Sequence, residues 1–191
     1  MATINPNDFL KENEVKERVK LTDGVKTFVA VGARYGHYKS GTKFLEIGHV
    51  CIESDKGQQE VGLTYYCRFA LSQNALWRIG RYAASIGYKQ VFDPEQIDDI
   101  QKVLMSGPVQ ITLNEGEYGL EAKYFNKVRV ERDKDGFPLF SQKVSDLIIK
   151  AEQWVNKGFE KARMREDNPY PTSASTSNRN DRPDLDEEIP F

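Results

Sequence analysis

From Thr22 onward the chain alternates. Val25, Thr27, Val29, Val31 and Ala33 recur at every second position, the period of a strand with one covered face. Tyr35 to Gly41, with two glycines and a serine, reads as a turn, and Thr42 to Glu53 as a second strand. Ser54-Asp55-Lys56-Gly57 has the chemistry of a turn. Glu60 to Ala70 reads as a third strand, with Val61, Leu63, Tyr65, Cys67 and Phe69 on one side and Thr64, Tyr66 and Arg68 on the other.

The period then lengthens. Ser72 is placed to cap a helix running to about Ile86, with Leu76, Ile79, Ala83 and Ile86 on one face and Gly87 at the stop. Asp93-Pro94-Glu95-Gln96 reads as a second helix start: Asp93 as cap, Pro94 in the first turn and Gln96 reaching back. Ile97, Ile100 and Leu104 give that helix its stripe, and Gly107-Pro108 ends it. Strands return with Val109, Ile111 and Leu113, a turn beginning at Glu115-Gly116, and a long strand from Tyr118 to Val130. Leu120, Ala122, Tyr124, Val128 and Val130 fall on one side of this last strand, and Lys123, Phe125, Lys127 and Arg129 on the other. After a loop at Asp133 to Pro138, Val144, Leu147, Ile148, Ala151 and Val155 recur at helical spacing from Ser141 to about Arg163. That stripe needs a cover, either the rest of the domain or a second copy of the chain.

Outside this body the pattern fades. Residues 1–21 form an extension in which Asp8 to Val19 predicts a short surface helix. Asn168-Pro169-Tyr170-Pro171 breaks any helix, and the polar run from Thr172 to Arg182 has too little apolar surface to offset its ordering entropy. The expected organisation is an extension (1–21), a β-rich domain (22–140), a C-terminal helix (141–165) and a disordered acidic tail (166–191). Three strands, a helical segment and two strands are the layout of a five-stranded OB-type barrel with its helix after strand three. Some other α+β meander with the same strand count is the alternative.

Composition narrows the class. A chain of 191 residues with 39% hydrophobic and 29% charged residues is expected to be a soluble globular protein. No apolar run is long enough to span a bilayer. The first residues, Met1 to Asn5, lack the features of a secretory signal, so the cytoplasm is expected. Cys51 and Cys67 do not make a disulfide scaffold. Charge is uneven: Glu166 to Phe191 holds seven acids and two bases, a net of −5, which leaves +3 for the rest of a chain whose total is −2.

Enzyme signatures are absent: no glycine-rich phosphate loop, no GxSxG, no paired histidines at metal spacing. His37, His49, Cys51 and Cys67 do not follow a zinc-finger spacing, and the two cysteines read as small buried hydrophobes. Asp98-Asp99 reads as a solvated helix face, with no third carboxylate placed for a two-metal site. No metal, cofactor or catalytic residue is expected.

Binding chemistry is more visible. Arg34, Tyr35, His37, Tyr38, Lys39, Lys43 and Phe44 interleave cations and rings within eleven positions. Single strands are held by cations that follow phosphates and by rings on which bases stack. Tyr66 and Arg68 add one pair, Trp77 and Arg81 a second at i and i+4, and Lys123, Phe125, Lys127 and Arg129 a basic, aromatic strand face. Each is equally an exposed charge beside a core ring, and only their sum favours binding. The chain closes on Asp184-Leu185-Asp186-Glu187-Glu188-Ile189-Pro190-Phe191. Asp184, Asp186, Glu187 and Glu188 suit a basic rim, Ile189 and Pro190 a stiff apolar approach, and Phe191 an apolar pocket with a cation for its carboxylate.

This tip resembles the acidic tip, ending in Ile-Pro-Phe or Leu-Pro-Phe, of bacterial single-stranded DNA-binding proteins. The helical insert after strand three, the Ser141 helix and the short linker are more similar to phage-encoded members of that class. The resemblance implies an OB domain that coats single-stranded DNA in replication, recombination or repair in the bacterial host cytoplasm. It also implies a tip that recruits host replication or repair enzymes. The rival readings are a DNA-processing nuclease and an adaptor that uses the tail without binding DNA.

Overall fold

The computed structural model describes residues 19–117 and 119–167. The helix expected from Asp8 lies outside them except for Val19, as do Tyr118, the linker and the whole acidic tip.

The chain is mainly β, and its frame is a long hairpin. β1 (Gly24–His37) and β2 (Lys43–Ser54) pair antiparallel from Lys26↔Ser54 to His37↔Lys43. The turn is shorter than its glycines suggested. The Gly41 N–H donates to the Tyr38 carbonyl (2.8 Å) and the Tyr38 N–H to the Thr42 carbonyl (2.9 Å), so Tyr35 to His37 belong to the strand. Gly36 is a packing gap: a Cβ there would stand 2.5 Å from Phe44 Cζ, so its bareness lets the Phe44 ring lie across β1.

β3 (Thr64–Ala70) pairs with β2 and starts four residues later than the alternation predicts. Glu60 lies in a single 3-10 turn (Gln58–Glu60) because its carboxylate is drawn to Lys26, 2.6 Å away. β4 (Val109–Gly116) joins β1 over Gly24–Phe28 only, and β5 (Gly119–Lys127) pairs with β4. The order is β3-β2-β1-β4-β5, antiparallel throughout. The sheet is not closed: among the described residues no ladder joins β3 to β5, so the expected closed barrel is not there. Side chains bridge those edges instead. The Phe69 and Phe125 rings are 5.8 Å apart, and Arg78 of α1 (Leu76–Ser85) donates to the Ala122 carbonyl at 2.6 Å.

Both short helices begin later than their cap signals. α1 starts at Leu76 with no side-chain cap, because Ser72 opens a turn through its carbonyl, which accepts from Ala75 N–H at 2.8 Å. α2 (Ile97–Leu104) follows Gln96; Asp93 spends its carboxylate on the Glu95 N–H (2.9 Å), which makes a turn before the helix. Ile79, Ala83, Ile86, Ile100 and Leu104 are buried as their spacing requires, while Leu76 and Ile97 stay partly exposed at the helix starts. Tyr82 is fully buried in the same core.

The sheet has two covered faces. The inner one packs Phe28, Leu45, Ile47, Phe69, Ile111 and Leu113 against α1 and α2. The outer one is covered by α3 (Gln142–Asp167), whose Ala151, Val155 and Phe159 meet Val29, Val31 and Val50. Gly48 makes that contact close: a Cβ on it would fall 2.5 Å from Val155 Cγ1. The stripe of the C-terminal helix is therefore covered by this chain's own sheet. No helix among the described residues is long and apolar enough to cross a membrane.

Candidate nucleic-acid interface

Strand parity divides the interleaved hairpin into two groups. Arg34, Gly36, Phe44 and Glu46 lie on the outer face, with Tyr66 and Arg68 of β3 in register beside them: Glu46 pairs with Arg34 on one side and Arg68 on the other. Glu46, 4% exposed, accepts from Arg34 Nε at 2.6 Å and from Arg68 Nε at 2.5 Å. Both guanidinium groups lie over the Phe44 ring, at 5.7 Å (Arg34) and 5.0 Å (Arg68). Phe44 is buried, and the tilted ring of Tyr38 packs on it with its centroid 4.8 Å away. The cluster of two arginines and one carboxylate carries a net positive charge.

Within this cluster the accessible groups are fewer than the sequence suggested. Tyr38 (36% exposed), Tyr66 (37%) and the Arg68 side chain (43%) face solvent; Phe44 and the Arg34 side chain (10%) do not. Phe44 is a support for the arginines and not a free stacking platform. Tyr66 leans edge-on against Phe159 of α3 at 5.8 Å. Burial, with Glu46 nearby, raises its phenol pKa, so it remains a neutral ring at neutral pH. His37 and Lys39 project from the hairpin tip, both exposed.

Tyr35 and Lys43 point the other way. Tyr35 Oη donates to the Pro94 carbonyl (2.9 Å), and burial together with Asp93, Glu95 and Asp99 pushes its pKa up to about 12. Lys43 Nζ sits 4.6 Å above the Tyr35 ring and 3.2 Å from Glu95. These two anchor the hairpin to the segment before α2 and do not join the outer face. Trp77 (62% exposed) and Arg81 are both exposed on α1, which packs on the inner side of the sheet.

The basic face expected on the last strand does not form. A register shift between Thr112 and Leu113 places Leu113 opposite Ala122 but Thr112 opposite Tyr124, so Lys123 is an extra residue and everything after it changes side. Phe125 consequently turns inward, opposite Ile111, with its ring 5.5 Å from Tyr82 and 5.8 Å from Phe69. Tyr124 becomes the outward ring, 49% exposed, with Lys123 Nζ 5.5 Å from its centre. Lys127 ends β5 and Arg129 lies beyond it, both exposed. Glu46, Tyr124 and Phe159 are the residues that pattern reading missed. Glu46 had a signal, since its parity matches Phe44 and its neighbours on both sides are cationic. Tyr124 had none, because nothing in the sequence marks the bulge.

Cys51 and Cys67 are both buried, and burial raises their thiol pKa values to about 11 and about 12. His49 is buried with Nε2 2.9 Å from Tyr82 Oη, and burial lowers its pKa to about 4, leaving it neutral. Asp98 is exposed and Asp99 partly buried; Asp99 pairs with Lys102 at 3.0 Å. Among the described residues no three His, Cys, Asp or Glu side chains gather as a metal site. The tip, Asp184 to Phe191, lies outside the described residues. No protein-family profile and no curated protein sequence matches the chain.

Proposed function

We propose that this protein binds single-stranded DNA without sequence preference on the outer face of β1, β2 and β3, beside Phe159 of α3. The observation that carries this reading is the grouping of Tyr38, Tyr66 and Arg68 as accessible side chains on one sheet face. Rings of this kind stack any base, and a cation between them follows the phosphates. The strand order is that of an OB barrel opened between β3 and β5, and Phe69 against Phe125 supports reading the sheet as such a barrel with its seam held by side chains. In OB folds the face of strands two and three is a site for oligonucleotides, which agrees with the position of Arg68 and Tyr66. We take the protein to be a non-enzymatic, phage-type coat for single strands in replication, recombination or repair. Its tip, Asp184 to Phe191, recruits host enzymes, and it works in the bacterial cytoplasm without a cofactor.

Fluorescence anisotropy with labelled oligo-dT, with duplex DNA as competitor, tests the binding. We expect saturable binding that weakens steeply with salt and survives excess duplex. Absence of binding at low salt overturns the reading. Equal competition by duplex overturns its single-strand character.

A further inference from the structure

α3 does more than cover apolar surface. Its buried stripe, Ala151, Val155 and Phe159, recurs every four residues. About a third of a turn round the helix from it runs a second stripe: Trp154, Lys157, Lys161 and Arg165, at i, i+3, i+7 and i+11. Trp154 is partly exposed and the three cations are exposed. Lys157 and Lys161 form no ion pair with another described residue. From residue 153 to 165 the helix carries four cations (Lys157, Lys161, Arg163, Arg165) against one acid, Glu160.

Two contacts fix which way this flank faces. Leu147 Cδ2 is 3.4 Å from the position a Cβ would take on Gly62, just before β3. A Cβ on Gly158 would stand 3.6 Å from Tyr66 Oη. Leu147 and Gly158 share the helical azimuth of Trp154 to within a residue's rotation, so the flank runs beside β3 and its Tyr66. The opposite flank, with Ile149, Glu152 and Asn156, lines a groove on the β1 side and carries no lysine or arginine in that lining.

We infer that this flank of α3 is a second wall of the single-strand surface, on which Trp154 stacks a base while Lys157, Lys161 and Arg165 follow phosphates. The inference rests on the function proposed above and extends its site from the β3 face onto the helix. The interleaving of a ring with cations is the chemistry that single-strand binders use. The stripe from Trp154 to Arg165 spans about 16 Å of helix and is continuous with Tyr66.

The full chain with Trp77→Phe keeps Trp154 as its one tryptophan and gives a direct optical readout. Oligo-dT should quench Trp154 emission saturably, at the midpoint that anisotropy gives. The Lys157→Ala/Lys161→Ala/Arg165→Ala variant should melt as the parent does and bind oligo-dT more weakly. Its log affinity against log salt should be shallower by about 2, three contacts at about 0.7 each. Trp154→Ala should weaken binding by about 5- to 150-fold. If the parent binds while Trp154 emission stays unchanged and the triple variant keeps the parent's affinity and salt slope, the helix wall is wrong and the β-face reading stands. If the parent binds no oligo-dT, both fall together.

Discussion

Glu60 and Glu46 are both buried carboxylates met by cations, and the difference between them separates what holds the fold from what we take to serve binding. Glu60 (2% exposed) is sealed in: Lys26 Nζ is 2.6 Å away and itself fully buried, Thr22 donates through both its N–H (2.9 Å) and its hydroxyl (2.7 Å), and the Ser54 hydroxyl also donates to it. Both carboxylate oxygens are bonded, and the cation that meets them is as buried as the carboxylate itself. Glu46 is equally buried, but one of its two partners, Arg68, keeps 43% of its side chain in water. A carboxylate of the first kind ties the start of β1 to the end of β2. One of the second kind holds over Phe44 a cation that keeps part of its side chain in water, where a guanidinium can meet another anion.

The sharpest way to break the comparison is to remove one partner from each pair. Lys26→Ala strands Glu60 without its counter-charge, and we expect a loss of about 3–5 kcal/mol in urea unfolding. Arg68→Ala leaves Glu46 with Arg34 and should change stability by no more than about 1 kcal/mol, because one buried cation still meets the carboxylate and the lost one is partly solvated. Equal losses in the two variants would erase the distinction.

Phe125 and Tyr124 test the bulge in the same spirit. Phe125→Ala should cost about 2–4 kcal/mol, since its ring fills the seam between Phe69 and Tyr82, while Tyr124→Ala should be near neutral in the same denaturant series. The reverse ranking would restore the parity that simple alternation predicts.

Acid sharpens the contrast further. Burial alone would raise the pKa of Glu60, but Lys26, Ser54 and Thr22 overcome it and hold the group at about 2. The folded value lies below the unfolded one of about 4.3, so the contribution of Glu60 is whole above that pH and is lost as pH falls toward 2. His49 adds a loss at higher pH. Its folded pKa of about 4 lies below the roughly 6.5 of an unfolded histidine, so the unfolded chain takes up the proton first as pH drops between those values. Urea midpoints measured from pH 7 to 2.5 should therefore fall in two stages, and Glu60→Gln should flatten the lower one. The smallest effect belongs to the hairpin tip: Lys39→Ala should lower the salt slope for oligo-dT by about 0.7 and leave stability unchanged.

These positions also indicate what a sequence can and cannot carry. The five strands and three helices of the body were legible because their apolar periods differ and change where the chain changes element. The tip of the β1–β2 hairpin was misread because Gly36 resembles a turn residue, whereas its role is to leave room for Phe44. The start of β3 was misplaced because alternation at Val61 and Leu63 continues past Glu60, which is held by Lys26 from a strand 34 positions earlier. Of the proposed site, Tyr38, Tyr66 and Arg68 were picked out by residue type alone. Residue type does not separate them from Tyr35 and Lys43, which leave the opposite side of the hairpin; strand parity does, once the turn is placed after His37. Phe125 was lost to one inserted residue, Lys123. Such errors are of parity: a single bulge reverses every side chain beyond it.

The central claim is that Tyr66 and Arg68 belong to a surface for single-stranded DNA. It is tested most directly by the ratio of oligo-dT affinities of the unaltered chain and the Tyr66→Ala/Arg68→Ala variant, at one low salt concentration, on proteins with matching melting curves. Loss of one stacking ring and one charge-assisted phosphate contact predicts binding that is weaker by at least about 10-fold in the variant. Equal affinities for the two proteins, or no measurable binding by the unaltered chain, would contradict the account.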